Sequence, residues 1–129
     1  MNLRALPLIL LLLAACRADE TISGYADPQT LWALQELDGQ PFTARATLQF
    51  PSEGKVAGRA PCNSFGAVQS VPLPWIEITA IRATRSICPE IEAEQRYLAA
   101  LQAMTLAEVA GDVLILHNNA GREMVFRAD

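Results

Sequence analysis

The sequence predicts an α+β fold: a curved antiparallel sheet, or open β-barrel, with one amphipathic helix packed on it. Three observations carry this. Short segments mixing apolar and polar residues, each closed by turn residues, recur from Leu31 to the end of the chain. A single stretch, starting at Pro89, changes to helical spacing. No internal repeat interrupts the series, so one layer of strands covered by one helix is the simplest arrangement that buries both apolar faces.

The first strand is Leu31 to Leu37, stopped by Asp38-Gly39, a dipeptide suited to a hairpin turn. Ala46–Phe50 alternates apolar with polar, Pro51–Gly54 turns the chain, and Lys55–Arg59 returns it as the second arm of a hairpin. Asn63–Val68 continues as a strand in which Gly66 eases a bulge. After Pro72 and Pro74, the β-branched and aromatic run Trp75–Ile81 predicts a further strand with Ile76 and Ile78 on one face. From Pro89 to about Met104, Ile91, Leu98 and Leu101 recur at helical spacing, and Glu90, Glu92 and Glu94 suit the positive end of a helix dipole. Leu106–Ala110, Val113–His117 and Glu123–Arg127, separated by Gly111-Asp112 and Asn118–Gly121, read as an antiparallel meander.

Ahead of this domain, Arg4 precedes an apolar run from Leu6 to Leu13 and the small residues Ala14-Ala15, the three parts of an export signal at residues 1–15. That run falls well short of the roughly 20 residues a spanning helix needs. Leu13-Ala14-Ala15-Cys16 resembles the lipobox of bacterial lipoproteins, which implies cleavage before Cys16 and acylation of that cysteine. Two or three chains on one residue make a lasting anchor where a single chain does not. Arg17 follows the cysteine; by the same resemblance an aspartate there would favour retention at the inner membrane, so the expected location is the periplasmic face of the outer membrane. Residues 16–30, with few large apolar groups, read as the lipidated cysteine and a flexible tether, and 31–129 as the domain.

The chain has 14 acidic side chains against 10 basic ones, of which Arg4 lies in the leader. An acidic surface disfavours phosphate backbones, so the expected membrane contact is the lipid on Cys16, and no nucleic-acid role is expected. With Cys16 assigned to lipid, Cys62 and Cys88 remain as an even pair. In an oxidising compartment such a pair forms a disulfide more often than a metal site, and His117 alone does not complete a ligand set; two free core thiols are the other reading. No cofactor or metal is expected.

Cys62 with His117 and Asn63 or Asn118 has the residue types of a thiol-nucleophile site. A bridge to Cys88 would consume that nucleophile. Glu90 and Glu94 stand four apart on the predicted helix, where a dipole role explains them as well as acid–base chemistry does. Asn63 either satisfies backbone groups at a bend or binds a ligand, and Trp75 either packs in the core or shapes a binding edge. These two are the candidate binding residues.

Taken in order, Trp32-x-Leu34, Gly58-Arg59-Ala60-Pro61-Cys62-Asn63-Ser64-Phe65, Thr84-Arg85-Ser86-Ile87-Cys88-Pro89, the helix with Glu94 and Tyr97-Leu98-x-x-Leu101, and Leu114-x-Leu116 resemble the META domain of HslJ-like proteins. The resemblance implies a compact β-rich fold with a helix and an envelope or stress-related context, and it carries no catalytic residues. Pro61 stands where a glycine often precedes the Cys-Asn pair. The expected function is therefore that of a lipid-anchored, non-enzymatic envelope protein in partner binding or stress response, with a carrier or sensor of a small apolar ligand as the alternative.

Overall fold

The computed structural model describes residues 18–129, so the predicted leader and Cys16 lie outside the described residues. The fold is α+β: an antiparallel sheet curls into a half-barrel and, among the described residues, a single α-helix packs on it. The strands are β1 (Trp32–Leu37), β2 (Gln40–Pro41), β3 (Thr47–Ser52), β4 (Gly54–Arg59), β5 (Ser64–Gln69), β6 (Thr79–Ala83), β7 (Leu106–Ala110), β8 (Val113–His117) and β9 (Glu123–Ala128), and helix α1 spans Ile91–Ala103. Their order across the sheet is β6-β5-β4-β3-β1-β9-β8-β7, with β2 paired to β1 alone. Thus β1 lies between the two meanders that precede and follow the helix.

Registers explain the inward faces. Leu114 pairs with Phe126 and Leu116 with Met124, and all four are fully buried because period-two strands in register put these positions on one side of the sheet. In β1 the alternation breaks: the pairing with β9 shifts between Leu34 and Glu36, so Gln35 is an extra residue and both Leu34 and Leu37 face the core. Asp38 and Gly39 both take positive φ, 52° and 78°, as the tight turn after β1 requires.

The helix presents Glu94, Tyr97, Ala100 and Leu101 to the sheet. Ile91 and Leu98, expected on its apolar face, are only partly buried, because Tyr97 takes the centre of the stripe. The Tyr97 ring meets Phe65 edge-on, with centroids 5.9 Å apart, and its hydroxyl donates to the carbonyl of Thr47 at 2.8 Å. Burial pushes the Tyr97 phenol well above its usual pKa. Asn118 closes the other end of the helix by donating from Nδ2 to the Ala103 carbonyl at 3.0 Å.

Gly58 makes the Tyr97 contact possible. A Cβ there would lie 2.2 Å from the Thr47 carbonyl oxygen and 2.7 Å from the Phe65 ring, the same groups that Tyr97 uses. Gly58→Ala is therefore expected to cost about 1–3 kcal/mol by overpacking. Denaturant midpoints of the two proteins measure this; an unchanged midpoint would mean that Thr47 and Phe65 yield freely.

Two expectations are corrected. The strand expected over Trp75–Ile81 begins only at Thr79, although Ile76 and Ile78 do point inward together. Buried Gln69 accounts for this: its Oε1 accepts from the Glu77 amide at 2.8 Å and its Nε2 donates to the Val71 carbonyl at 2.6 Å, holding the connection as a loop. The start of that loop instead bonds to the opposite edge of the sheet, where the Ala107 amide donates to the Pro74 carbonyl and the Ile76 amide to the Thr105 carbonyl.

The stretch read as a tether also contains an anchored turn. The Asp19 carboxylate accepts from the amide and hydroxyl of Thr21 and from the hydroxyl of Ser23, Ile22 is 1% exposed in the core, and the Leu73 amide donates to the Glu20 carbonyl at 2.9 Å. Partial desolvation raises the Asp19 pKa, but the hydrogen bonds from Ser23 and Thr21 outweigh it and leave the carboxyl below its usual value. Polar composition hid this turn, because Ile22 is the one large apolar residue buried in it and only the small Ala26 joins it in the core.

Candidate functional site

Asn63 and the two cysteines meet at a buried polar hub. Cys62 and Asn63 follow β4 at a sharp bend, Thr84–Cys88 leaves β6, and the start of α1 lies over both. Glu94 ties them together: Oε1 accepts from the amides of Cys62 at 3.0 Å and Asn63 at 2.8 Å, and Oε2 accepts from Asn63 Nδ2 at 2.6 Å. Asn63 Nδ2 also donates to the Ser86 carbonyl, while its Oδ1 accepts from the Thr84 hydroxyl and the Ser86 amide. Cys62 and Cys88 are joined by a disulfide, with Cα atoms 5.6 Å apart.

This arrangement holds the loops together. Asn63 is 3% exposed, and its amide group is spent on Glu94, Thr84 and Ser86. Glu94 is 5% exposed and caps two backbone N–H groups of the bend, not the helix dipole assigned to it from sequence. The signal for Glu94 was present: with Tyr97 and Leu101 it stands at i, i+3 and i+7, so the core-facing stripe itself contains a carboxylate. Since the sulfur of Cys62 is shared with Cys88, it offers no thiolate while the bridge stands. His117, on β8, is partly exposed and lies 4.0 Å from Glu108 across the β7–β8 pair. Asn118 is engaged in its own turn, accepting from Ala120 and Arg122.

Among the described residues, two of the surface concavities flank the helix. The larger, about 730 Å³, lies between the turn and strand after β1 and the beginning of α1, with Phe42, Thr43, Glu90 and Arg96 among its walls. Charges of both signs line it. The Arg96 guanidinium sits 5.9 Å from the centroid of the Phe42 ring, and Arg122 reaches Asp38 through Nε at 3.2 Å and Nη2 at 2.9 Å. The Arg122 bonds hold the Asp38 carboxyl below the usual carboxylate range, against some desolvation. Sequence reading missed this cleft, because Phe42 and Arg96 are brought together only by packing of the helix.

The smaller concavity, a groove of about 500 Å³, lies at the opposite end of the helix among Val71, Pro72, Trp75, Gln102, Met104 and Thr105. Trp75 is 57% exposed there, which places it at a surface edge and not in the core. Among the described residues no cluster of three or more potential metal ligands occurs.

The sequence profile of the META domain matches residues 26–129. Solved structures of similar fold include a protein from Burkholderia xenovorans determined by NMR, 20% identical, with a TM-score of 0.61 over 78% of this chain and 81% of that one. A crystal structure of a duf4847 family protein from Bacteroides vulgatus is 10% identical, with a TM-score of 0.67 over 84% of this chain and 97% of that one. No curated protein matches.

Proposed function

The chain belongs to the META domain family, and from that premise we propose that it is a lipid-anchored, non-enzymatic protein of the bacterial cell envelope. Acyl chains on Cys16 hold it at the periplasmic face of the outer membrane. Its task is to bind an envelope protein, as a structural partner or in a stress response, through the cleft between Phe42 and the start of α1.

The cleft is the observation that carries this reading. It combines an aromatic ring, two arginines and three acidic side chains, Asp38, Glu90 and Glu92, at a concave surface. Aromatic and arginine side chains dominate the energetics of protein interfaces. The hub just behind the cleft fixes its helical wall, since Cys88 and Pro89 lead directly into it and Glu94 ties the helix to the β4–β5 bend. A rigid wall lowers the ordering cost of binding. The alternative reading, a carrier of a small apolar ligand, needs room between helix and sheet. Tyr97, Leu101 and Phe65 pack in that space.

Arg96 is exposed, so Arg96→Glu leaves the core untouched. Affinity capture from intact envelopes with the mature protein is expected to recover a partner that this variant loses, with affinity down by at least about tenfold. Equal recovery by both proteins overturns the assignment of the cleft. A reproducible turnover that disappears in a folded His117→Ala variant overturns the non-enzymatic reading.

A further inference from the structure

We propose that the apolar groove around Trp75 rests on the lipid bilayer, at the boundary between headgroups and acyl chains. The inference depends on the lipid anchor at Cys16 and adds to it an orientation of the domain.

Where the chain leaves the domain decides the matter. The Glu20 carbonyl accepts from the Leu73 amide, and two residues later Trp75 stands exposed at the edge of the groove. Asp19, Thr21, Ser23 and buried Ile22 fix this exit turn to the body of the domain. Only three residues, Arg17 to Asp19, lie between Cys16 and Glu20, and the four Cα–Cα steps from one to the other reach at most about 14 Å when fully extended. An acylated Cys16 lies at the bilayer surface, so Glu20 is held within that distance of it, and the loop of Leu73 and Trp75 begins one hydrogen bond beyond Glu20. The domain cannot swing this face far from the membrane.

The chemistry of the groove suits that position. Tryptophan favours the interface, where its ring lies against acyl chains and its N–H stays near water. Val71 and Pro72 extend the apolar surface beside it, over the buried side chain of Met104. Glu77 lines the same groove, Glu20 lies at the exit turn, and the whole chain has a net charge of −4. Contact by insertion into uncharged, zwitterionic lipid fits these charges, whereas an anionic surface would be repelled.

The placement also agrees with the cleft. Gln102, Met104 and Thr105 at the end of α1 line the groove, and Glu90, Ala93 and Arg96 at its start line the cleft. A helix of 13 residues is about 20 Å long. The cleft, whose walls reach along the helix to Ala99, shares no lining residue with the groove, so lipid on the groove leaves those walls uncovered.

The test uses the protein matured in its own host, placed at one copy per nanodisc in phosphatidylcholine, either plain or brominated on its acyl chains. Bromine is expected to quench emission in the wild type, and this loss is expected to be absent in Trp75→Phe. Trp32, 2% exposed, supplies the emission common to both proteins. Equal emission in the two lipids overturns the proposal. Shielding of Trp75 from iodide that arises only when several copies share a disc assigns the groove to a second copy, and overturns it too. The intact mass of the same sample separates the two ideas: an unacylated Cys16 overturns the anchor and the docking together, while an acylated Cys16 with unquenched Trp75 overturns the docking alone.

Discussion

Glu94→Ala is expected to destabilise the domain by about 3–5 kcal/mol, a large fraction of the total stability of a domain of ordinary size. The carboxylate is buried with no cation beside it among its hydrogen-bond partners, and three N–H donors from Cys62 and Asn63 compensate it instead. Bonds to a charged group contribute about 1.5–3 kcal/mol each, and losing the acceptor leaves the amides of a buried bend unpaired. Alanine also leaves a void under the first turns of the helix. Urea denaturation followed by circular dichroism measures the loss, and a shift below about 1 kcal/mol would mean that water replaces the carboxylate.

Glu94→Gln separates charge from shape. A glutamine oxygen can still accept from the Cys62 and Asn63 amides. Its NH2 group then faces Asn63 Nδ2, donor against donor, across the 2.6 Å contact. Asn63 has no free rotation to relieve this, because its Oδ1 is held by Thr84 and Ser86. The glutamine variant is therefore expected to fall between wild type and alanine, with a loss of about 1–3 kcal/mol.

Most strands were legible because their signals are local. Gly111-Asp112 and Asn118–Gly121 bracket β7, β8 and β9 at the expected positions, and turn chemistry with period-two alternation needs no knowledge of distant residues. What escaped depends on contacts far apart in the chain. The Trp75 segment has every local mark of a strand, yet the side chain of Gln69 claims the backbone amide of Glu77. The position of Trp75 at a surface edge follows from that loop. The hub escaped for a similar reason: Asn63 and Glu94 are 31 residues apart, and a glutamate near a helix start reads as a dipole partner until the helix is packed. The even cysteine pair was the exception, since compartment and parity alone pointed to its bridge.

That bridge supports the second large effect. Replacing Cys62 and Cys88 together by serine is expected to cost about 3 kcal/mol, because the bond closes a sequence separation of 26 residues and restricts the unfolded chain. In the native state the two loops have another tie that needs no sulfur: Asn63 binds Ser86 and Thr84 directly, and Glu94 binds the Cys62 amide. The hub should therefore persist in the serine variant, with stability lost mainly through the unfolded state. Losses from Glu94→Ala and from the double serine substitution are then expected to add to within about 0.5 kcal/mol in the combined variant, despite their closeness in space. A combined loss that departs from the sum by more than about 1 kcal/mol would mean that the bridge positions Asn63 for Glu94, making the two ties a single native-state unit.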